Sequence, residues 1–278
     1  MSETVALLPG SETPFVATFA DSETPSSREV VGAVLKACTL LEHFSADRPS
    51  WTLNELTSAS GMNKTTVHRL MATLIHAGWI ERTDGGAYRV GLRVFEVGSA
   101  ALSDLDIRSA AKPFMTELAG DFGDTAYLMV PAEQGAVCID LVEGNSSLVV
   151  AGISVGTVLP YHAAAGPTVM LAMSDTLRAR WINDRLPAFT DRTLTDAAAL
   201  TRHLDRIREI GYSVSDSDYL DGVAAVAAPI TDRSGDLIAS ISIGGRIEGF
   251  AGDALAAKVN RVCDAAARIS TVLQSVPR

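Results

Sequence analysis

Apolar residues recur at helical spacing through the first third of the chain and at the alternate spacing of strands through its middle. Residues 29–44 carry Val30, Val31, Val34, Leu35, Cys38, Leu40 and Leu41, which predicts a first helix. Thr52 followed by Glu55 forms a capping box, so a second helix is expected to begin at Leu53 and bury Leu53, Leu56 and Ala59 before Ser60 and Gly61 stop it. A third starts near Asn63, whose side chain can cap free amides, and sets Val67, Leu70, Met71, Leu74 and Ile75 on one face until Gly78 closes it. Residues 79–82 and 87–90 then alternate about Asp84-Gly85-Gly86, the pattern of a hairpin.

Burying that face of the third helix leaves Lys64, Thr65, His68 and Arg69 outward on its first two turns. Two short helices followed by a hairpin, with a polar and basic start to the second, make a winged helix-turn-helix, whose second helix enters the major groove of DNA. The candidate DNA contacts are Asn63, Lys64, Thr65, Thr66, His68 and Arg69 on the helix, with Arg82 and Arg89 near the hairpin turn. A helical adaptor for another protein would have no use for that cluster.

Beyond the hairpin, residues 91–104 place Leu92, Phe95, Ala101 and Leu102 among small residues, as expected of a connecting helix that pairs with a copy of itself. A helix over 106–122 contains Pro113; strands follow at 124–130, 137–142 and 148–153, the first two joined by a turn at Glu133-Gln134-Gly135. Helices are expected at 167–173, 175–182 and 196–209, the last capped by Thr195. A hairpin of 222–230 and 236–243 and a closing helix over 253–274 complete an α+β domain.

The stretch LNELTSASGMNKTTVHRLMATLIHAGWIER, followed by YRVGLRVFEVGSAAL, resembles the IclR family of bacterial transcriptional regulators, and the likeness runs over roughly residues 28–275. It implies a two-domain architecture: a winged helix-turn-helix DNA-binding domain at 28–90, a linker and dimerisation helix at 91–105, and a GAF-like α+β effector-binding domain at 106–276; residues 1–27, rich in Ser, Glu, Thr and Pro, are expected to form a disordered tail. Implied partners are a palindromic double-stranded DNA operator, a small organic acid effector, and a second copy of the chain, with dimers pairing into a dimer of dimers. No cofactor is implied.

Charge changes this picture only after it is divided. The whole 278-residue chain carries a formal −10, which looks wrong for a DNA binder, yet residues 28–96 carry +1, residues 97–278 carry −7 and the first 27 carry −4. DNA responds to potential within about one Debye length, about 8 Å at physiological salt, so the local value governs. With +1, affinity should rest on a few placed contacts and on dimerisation. The three cysteines lie far apart and read as small core residues in a reducing compartment, with no metal site implied. The N-terminal stretch lacks a basic region before an apolar core, and no apolar run reaches the roughly 18 residues of a membrane helix, so a cytoplasmic protein is expected.

Two motifs point toward other chemistry. Gly152-Ile153-Ser154-Val155-Gly156 is a literal GxSxG, but it leads into Thr157-Val158-Leu159-Pro160 rather than a helix, which argues against a nucleophile elbow. A metabolite-converting enzyme fused to a nucleic-acid module is therefore the alternative reading. Asp216, Asp218 and Asp221 read as a solvated turn in preference to a cation site. For the effector, residues 159–173 suggest a helix with Pro167 at its first position and Gly166 at the cap, leaving the amides of Thr168 and Val169 free for a carboxylate. The family resemblance sets Gly166-Pro167 where a Gly-Lys is common, and of its polar set only Ser242 matches, with Gly244 in place of a second hydroxyl. The expected effector contacts are His162, Gly166, Thr168, Val169 and Ser242, around a pocket apolar enough for a monocarboxylate.

Overall fold

The computed structural model describes residues 30–45, 48–103, 107–145, 152–182 and 186–275, which fall into two compact units, one ending and the other beginning near residue 105. The tail expected at 1–27 lies outside the described residues.

The N-terminal unit runs α1 (Gly32–Leu41), β1 (Ser50–Trp51), α2 (Leu53–Ser60), α3 (Lys64–His76), β2 (Ile80–Arg82), β3 (Tyr88–Val90) and α4 (Leu92–Ser103). Both halves of the capping box form, with Glu55 accepting from the Thr52 amide at 2.7 Å, and Gly61 ends α2 in the left-handed region at φ 64°. Asn63 Oδ1 accepts from the Thr66 amide at 2.8 Å and starts α3. Leu40, Leu56, Val67, Met71, Ile80 and Tyr88 form the core, with Leu53, Leu70, Leu74 and Ile75 packed around it. Ala59, expected inside, lies on the solvent side of α2 and is exposed. In the hairpin Thr83 donates to the Ala87 carbonyl, and Gly86 takes the left-handed φ of 78° that the turn requires. β1 adds an edge beside β3, setting Trp51 opposite Tyr88; at two residues it carries no periodic signal in sequence.

Two helices of this unit leave apolar faces open. Val31, Val34 and Leu35 of α1 and its approach are more than half exposed, as are Leu92, Phe95 and Val97 of α4. Cys38, expected in the core, is exposed on α1, whereas Cys138 is buried and Cys263 half-buried.

The C-terminal unit runs α5 (Ile107–Phe122), β4 (Thr125–Ala132), β5 (Gly135–Val142), β6 (Val158–Leu159), α6 (Ala165–Met173), α7 (Asp175–Trp181), α8 (Ala197–Ile210), β7 (Ser213–Asp216), β8 (Val223–Thr231), β9 (Leu237–Arg246) and α9 (Gly252–Ser275). Its strands pair antiparallel in the order β6-β5-β4-β9-β8-β7. Strand alternation gives the sheet two buried faces. Tyr127, Met129 and Ala227 pack under α6 and α8 with Val169, Met170 and Leu204, while α5 and α9 cover the other face, to which Leu128, Ile241 and Ile243 turn.

Of the strand expected at 148–153, residues 148–151 lie outside the described residues, and Gly152 sits in a turn. β6 and β7 were not anticipated. α8 is capped by Asp196, whose Oδ1 accepts from the Ala199 amide at 2.7 Å, rather than by Thr195, because the cap must sit directly before the first helical residue. Asp124 at the head of β4 and Lys258 of α9 form an ion pair buried on both sides, with the Lys258 ammonium 3.9 Å from the centre of the Phe250 ring. Gly245 is required beside it, since a Cβ there would occupy the Asp124 carboxylate. Among the described residues no helix is long and apolar enough to cross a membrane.

Candidate functional site

The N-terminal unit presents one polar surface built by α3. Val67 and Met71 are fully buried, which fixes the rotation of the helix and turns Lys64, Thr65, His68 and Arg69 outward, all four exposed. Two neighbouring candidates are partly engaged already: Asn63 spends its side-chain oxygen on the cap, and Thr66 is half-buried. On the wing, Arg82 donates to the Tyr88 hydroxyl at 3.1 Å, which holds its guanidinium beside the strand. Arg89 is exposed but gives two hydrogen bonds to one Glu81 oxygen, at 2.8 and 3.1 Å, so part of its charge is neutralised on its own sheet.

The C-terminal unit holds a cavity of about 440 Å³, open mouth included, between the start of α6 and the sheet. Apolar walls come from Met129, Ile153, Leu159, Pro167, Val223 and Ala225; polar groups come from Tyr127, Ser215, Asp218, Tyr219 and Ser242. Of the expected effector contacts, Gly166 and Ser242 line it. His162, Thr168 and Val169 do not. The His162 ring meets the Pro187 carbonyl at 2.8 Å and lies against Phe189, and burial holds its pKa below the ordinary value.

The helix start differs from the sequence expectation. α6 begins at Ala165, so Pro167 is its third residue and Gly166 its second, not its cap. The Thr168 amide donates to the Ala164 carbonyl at 3.1 Å, and Val169 is already one turn inside, so neither amide is open to a ligand. Those at the helix start belong to Ala165 and Gly166. Ala164 sits at φ 62°, an unfavourable value for a residue with a Cβ, and its amide donates to Asp218 Oδ1 at 3.2 Å.

Asp218 is the cavity residue that sequence reading assigned elsewhere. Asp216 of the same acidic group does face solvent and pairs with Arg192 at 2.7 Å, but Asp218 turns inward. Burial pushes its carboxyl up to about 6, opposed by hydrogen bonds from the amides of Ala164, Asp218 itself and Tyr219. Its loop is clamped from outside: the Thr190 hydroxyl donates to the Ser217 carbonyl and that of Thr193 to the Asp218 carbonyl, both at 2.6 Å. Ser240, two residues before Ser242 on the same strand face, is also absent from the expected set. It is fully buried, its hydroxyl has no hydrogen-bond partner among the described residues, and it lies 3.3 Å from where a Gly166 Cβ would stand.

Ser154 of the GxSxG stretch stands in a tight turn, its amide bound to the Thr157 hydroxyl at 3.0 Å, ahead of the two-residue β6 rather than a helix. The described residues contain no cluster of side chains suited to a metal ion.

Comparison with known proteins places both units. Residues 33–84 match the IclR helix-turn-helix domain, and residues 99–271 match the bacterial transcriptional regulator IclR C-terminal domain. The HTH-type transcriptional regulator KipR of Bacillus subtilis is 33% identical over 239 residues, covering 85% of this chain and 95% of KipR. The HTH-type transcriptional repressor AllR of Salmonella typhi is 29% identical over 91% of this chain and 94% of its own length. Among solved structures, an IclR-type regulator from a Silicibacter species superposes with a TM-score of 0.78 at 26% identity, covering 88% of this chain and 98% of that one. An IclR homolog from Microbacterium hydrocarbonoxydans, solved in complex with 4-hydroxybenzoate, shares the fold at TM-score 0.75 and 24% identity over 87% and 99% of the two chains. With both domain models matched in order and a relative at this identity spanning most of the sequence, the chain belongs to the IclR family of bacterial transcriptional regulators.

Proposed function

We propose that the chain acts as a homodimer that sets its two α3 helices into major grooves of a roughly palindromic operator, and that a small monocarboxylic acid entering the cavity of the C-terminal unit alters that grip. The observation that carries the reading is the outward set at the start of α3: Lys64, Thr65, His68 and Arg69 are exposed together while the opposite face holds the core. Dimerisation is supported by the open apolar faces of α1 and α4, and by the small number of base pairs that one reading helix covers. Pairing of dimers into tetramers is part of the same proposal.

The cavity supports an acid of limited charge. Two helix-start amides and the Ser242 hydroxyl can receive one carboxylate near Gly166, with the buried Ser240 hydroxyl beside that glycine, while among the described residues no Lys, Arg or His lines the walls to neutralise a second. The reading is supported by a fold neighbour solved in complex with 4-hydroxybenzoate, an aromatic monocarboxylate. The test is a footprint of the purified protein on the DNA upstream of its own gene, repeated with a panel of mono- and dicarboxylates. Symmetric protection that one monocarboxylate changes, with the acid recovered chemically intact, supports the proposal; turnover of the acid supports an enzyme instead.

A further inference from the structure

The charge inventory of the cavity leads to a consequence for regulation, which rests on the monocarboxylate reading above. Among the described residues that line the cavity, Asp218 is the one ionisable side chain outside the tyrosines. Its Oδ1 is engaged by the Ala164 amide, at the residue immediately before α6, and the proposed carboxylate position lies at Gly166, two residues further on. The two carboxyl groups are thus brought to the same end of one helix, inside apolar walls. Like charges brought together in apolar surroundings raise one another's pKa, which favours a proton held on one carboxyl, as in paired catalytic aspartates.

Among the described residues the surroundings offer no other compensation. From β7 come Ser215 and Asp216, the latter a second negative charge already paired with Arg192 at the surface. From β4 comes Tyr127, and from the loop itself Tyr219; burial raises the Tyr127 phenol well above its ordinary pKa, so it adds no charge near neutrality. His162, in the segment leading to α6, directs its ring to the Pro187 carbonyl and is held toward the neutral form by burial. Among the described residues, β8 and β9 contribute Val223, Ala225, Ser242 and Gly244 to the walls, all uncharged, as is the buried Ser240 beside Gly166.

We propose that the acid effector binds together with one proton, shared between its carboxylate and Asp218, so that the regulator reads the acid and the ambient pH as a single combined signal. The sign follows from linkage: the complex holds one proton more than the free protein wherever Asp218 is ionised, so affinity falls as pH rises. With the Asp218 carboxyl at about 6 in the free protein, affinity falls about tenfold per pH unit above that value and levels off below it.

Calorimetry on the full-length protein tests this with acetate, pyruvate, isobutyrate and benzoate, at pH 5 to 8, in pairs of buffers that differ in ionisation enthalpy. The expected result is uptake of nearly one proton per acid bound at pH 8, falling toward zero at pH 5. Asp218→Asn keeps an oxygen for the Ala164 amide and supplies a neutral donor, so it should bind the acid at every pH with no proton uptake, and more tightly than the natural protein at pH 8. Acid binding without proton uptake in the natural protein overturns the shared proton and leaves the monocarboxylate reading standing. Loss of acid binding in Asp218→Asn, with a folded C-terminal unit by circular dichroism, also overturns it, because the carboxylate would then serve a cationic donor. Absence of binding by all four acids at every pH overturns both readings together.

Discussion

Replacing Arg69 by alanine separates reading from folding at one exposed position. The side chain is exposed on α3, and the Thr73 hydroxyl donates to the backbone carbonyl of this residue at 2.9 Å, a bond that alanine keeps. Stability should therefore change by no more than about 0.5 kcal/mol. A bidentate arginine contact to a base is worth about 1 to 3 kcal/mol, and a two-fold site contains it twice, so operator affinity should fall by about 2 to 6 kcal/mol per dimer. At about 1.4 kcal/mol per decade this is roughly 30-fold to four decades. Scrambled DNA of equal length should lose far less. Fluorescence anisotropy on both duplexes at one salt concentration, beside a thermal melt, measures the three quantities. The matched control is Met71→Ala, two residues on and fully buried on the opposite face of α3, which should cost about 2 to 5 kcal/mol of stability. Equal losses on operator and scrambled DNA for Arg69→Ala would show that this residue holds phosphate and does not read sequence.

Further outcomes follow from particular contacts. Glu81→Gln frees Arg89 from its ion pair and should raise affinity for operator and scrambled DNA alike, by up to about fivefold given the worth of an exposed pair, as read by filter binding. Phe95→Glu places charge on the open face of α4 and should shift sedimentation toward monomer and weaken operator binding, while acid binding measured by calorimetry stays unchanged. Gly166→Val drives a side chain toward Met129 Sδ at 3.2 Å and Ser240 Oγ at 3.3 Å, so it should lower the stability of the C-terminal unit by about 1 to 3 kcal/mol even without ligand; an unchanged melt would place α6 farther from the sheet.

The N-terminal unit was legible because its signals are local. A capping box, an asparagine cap and a 3.6-residue apolar stripe each specify a helix within a few residues, and together they set which side of α3 faces out. The effector cavity was less legible because its key groups are placed from a distance. Asp218 sits in a run that reads as a solvated turn, and what turns it inward is the pair of threonine hydroxyls at 190 and 193 acting on the backbone of 217 and 218. Pro167 misled because proline suits any position lacking an intrahelical N–H partner, and here it occupies the third. No side chain caps α6; Ala164 instead adopts a strained φ held by Asp218, which no local pattern announces. The serine at 240, alternating with that at 242 inside an apolar strand, was a readable hint of polar groups aimed at one face.

The buried pair of Asp124 and Lys258 spans 134 residues of sequence, and β4 finds its neighbour β9 across a similar interval. On a ribosome, the central strand of the effector unit therefore emerges long before its partner strand and before the ammonium that neutralises Asp124. The DNA-reading unit has no such wait, since its core closes within residues 40–88. Synthesis thus yields a folded operator-binding head while the sensing half is still an open sheet edge, the part of the nascent chain most in need of chaperone cover. A chain ended early, before α9, would keep the contacts of the head and lose those of the sensor. Expressed beside the full-length regulator, such a fragment should occupy operator DNA without answering to the acid.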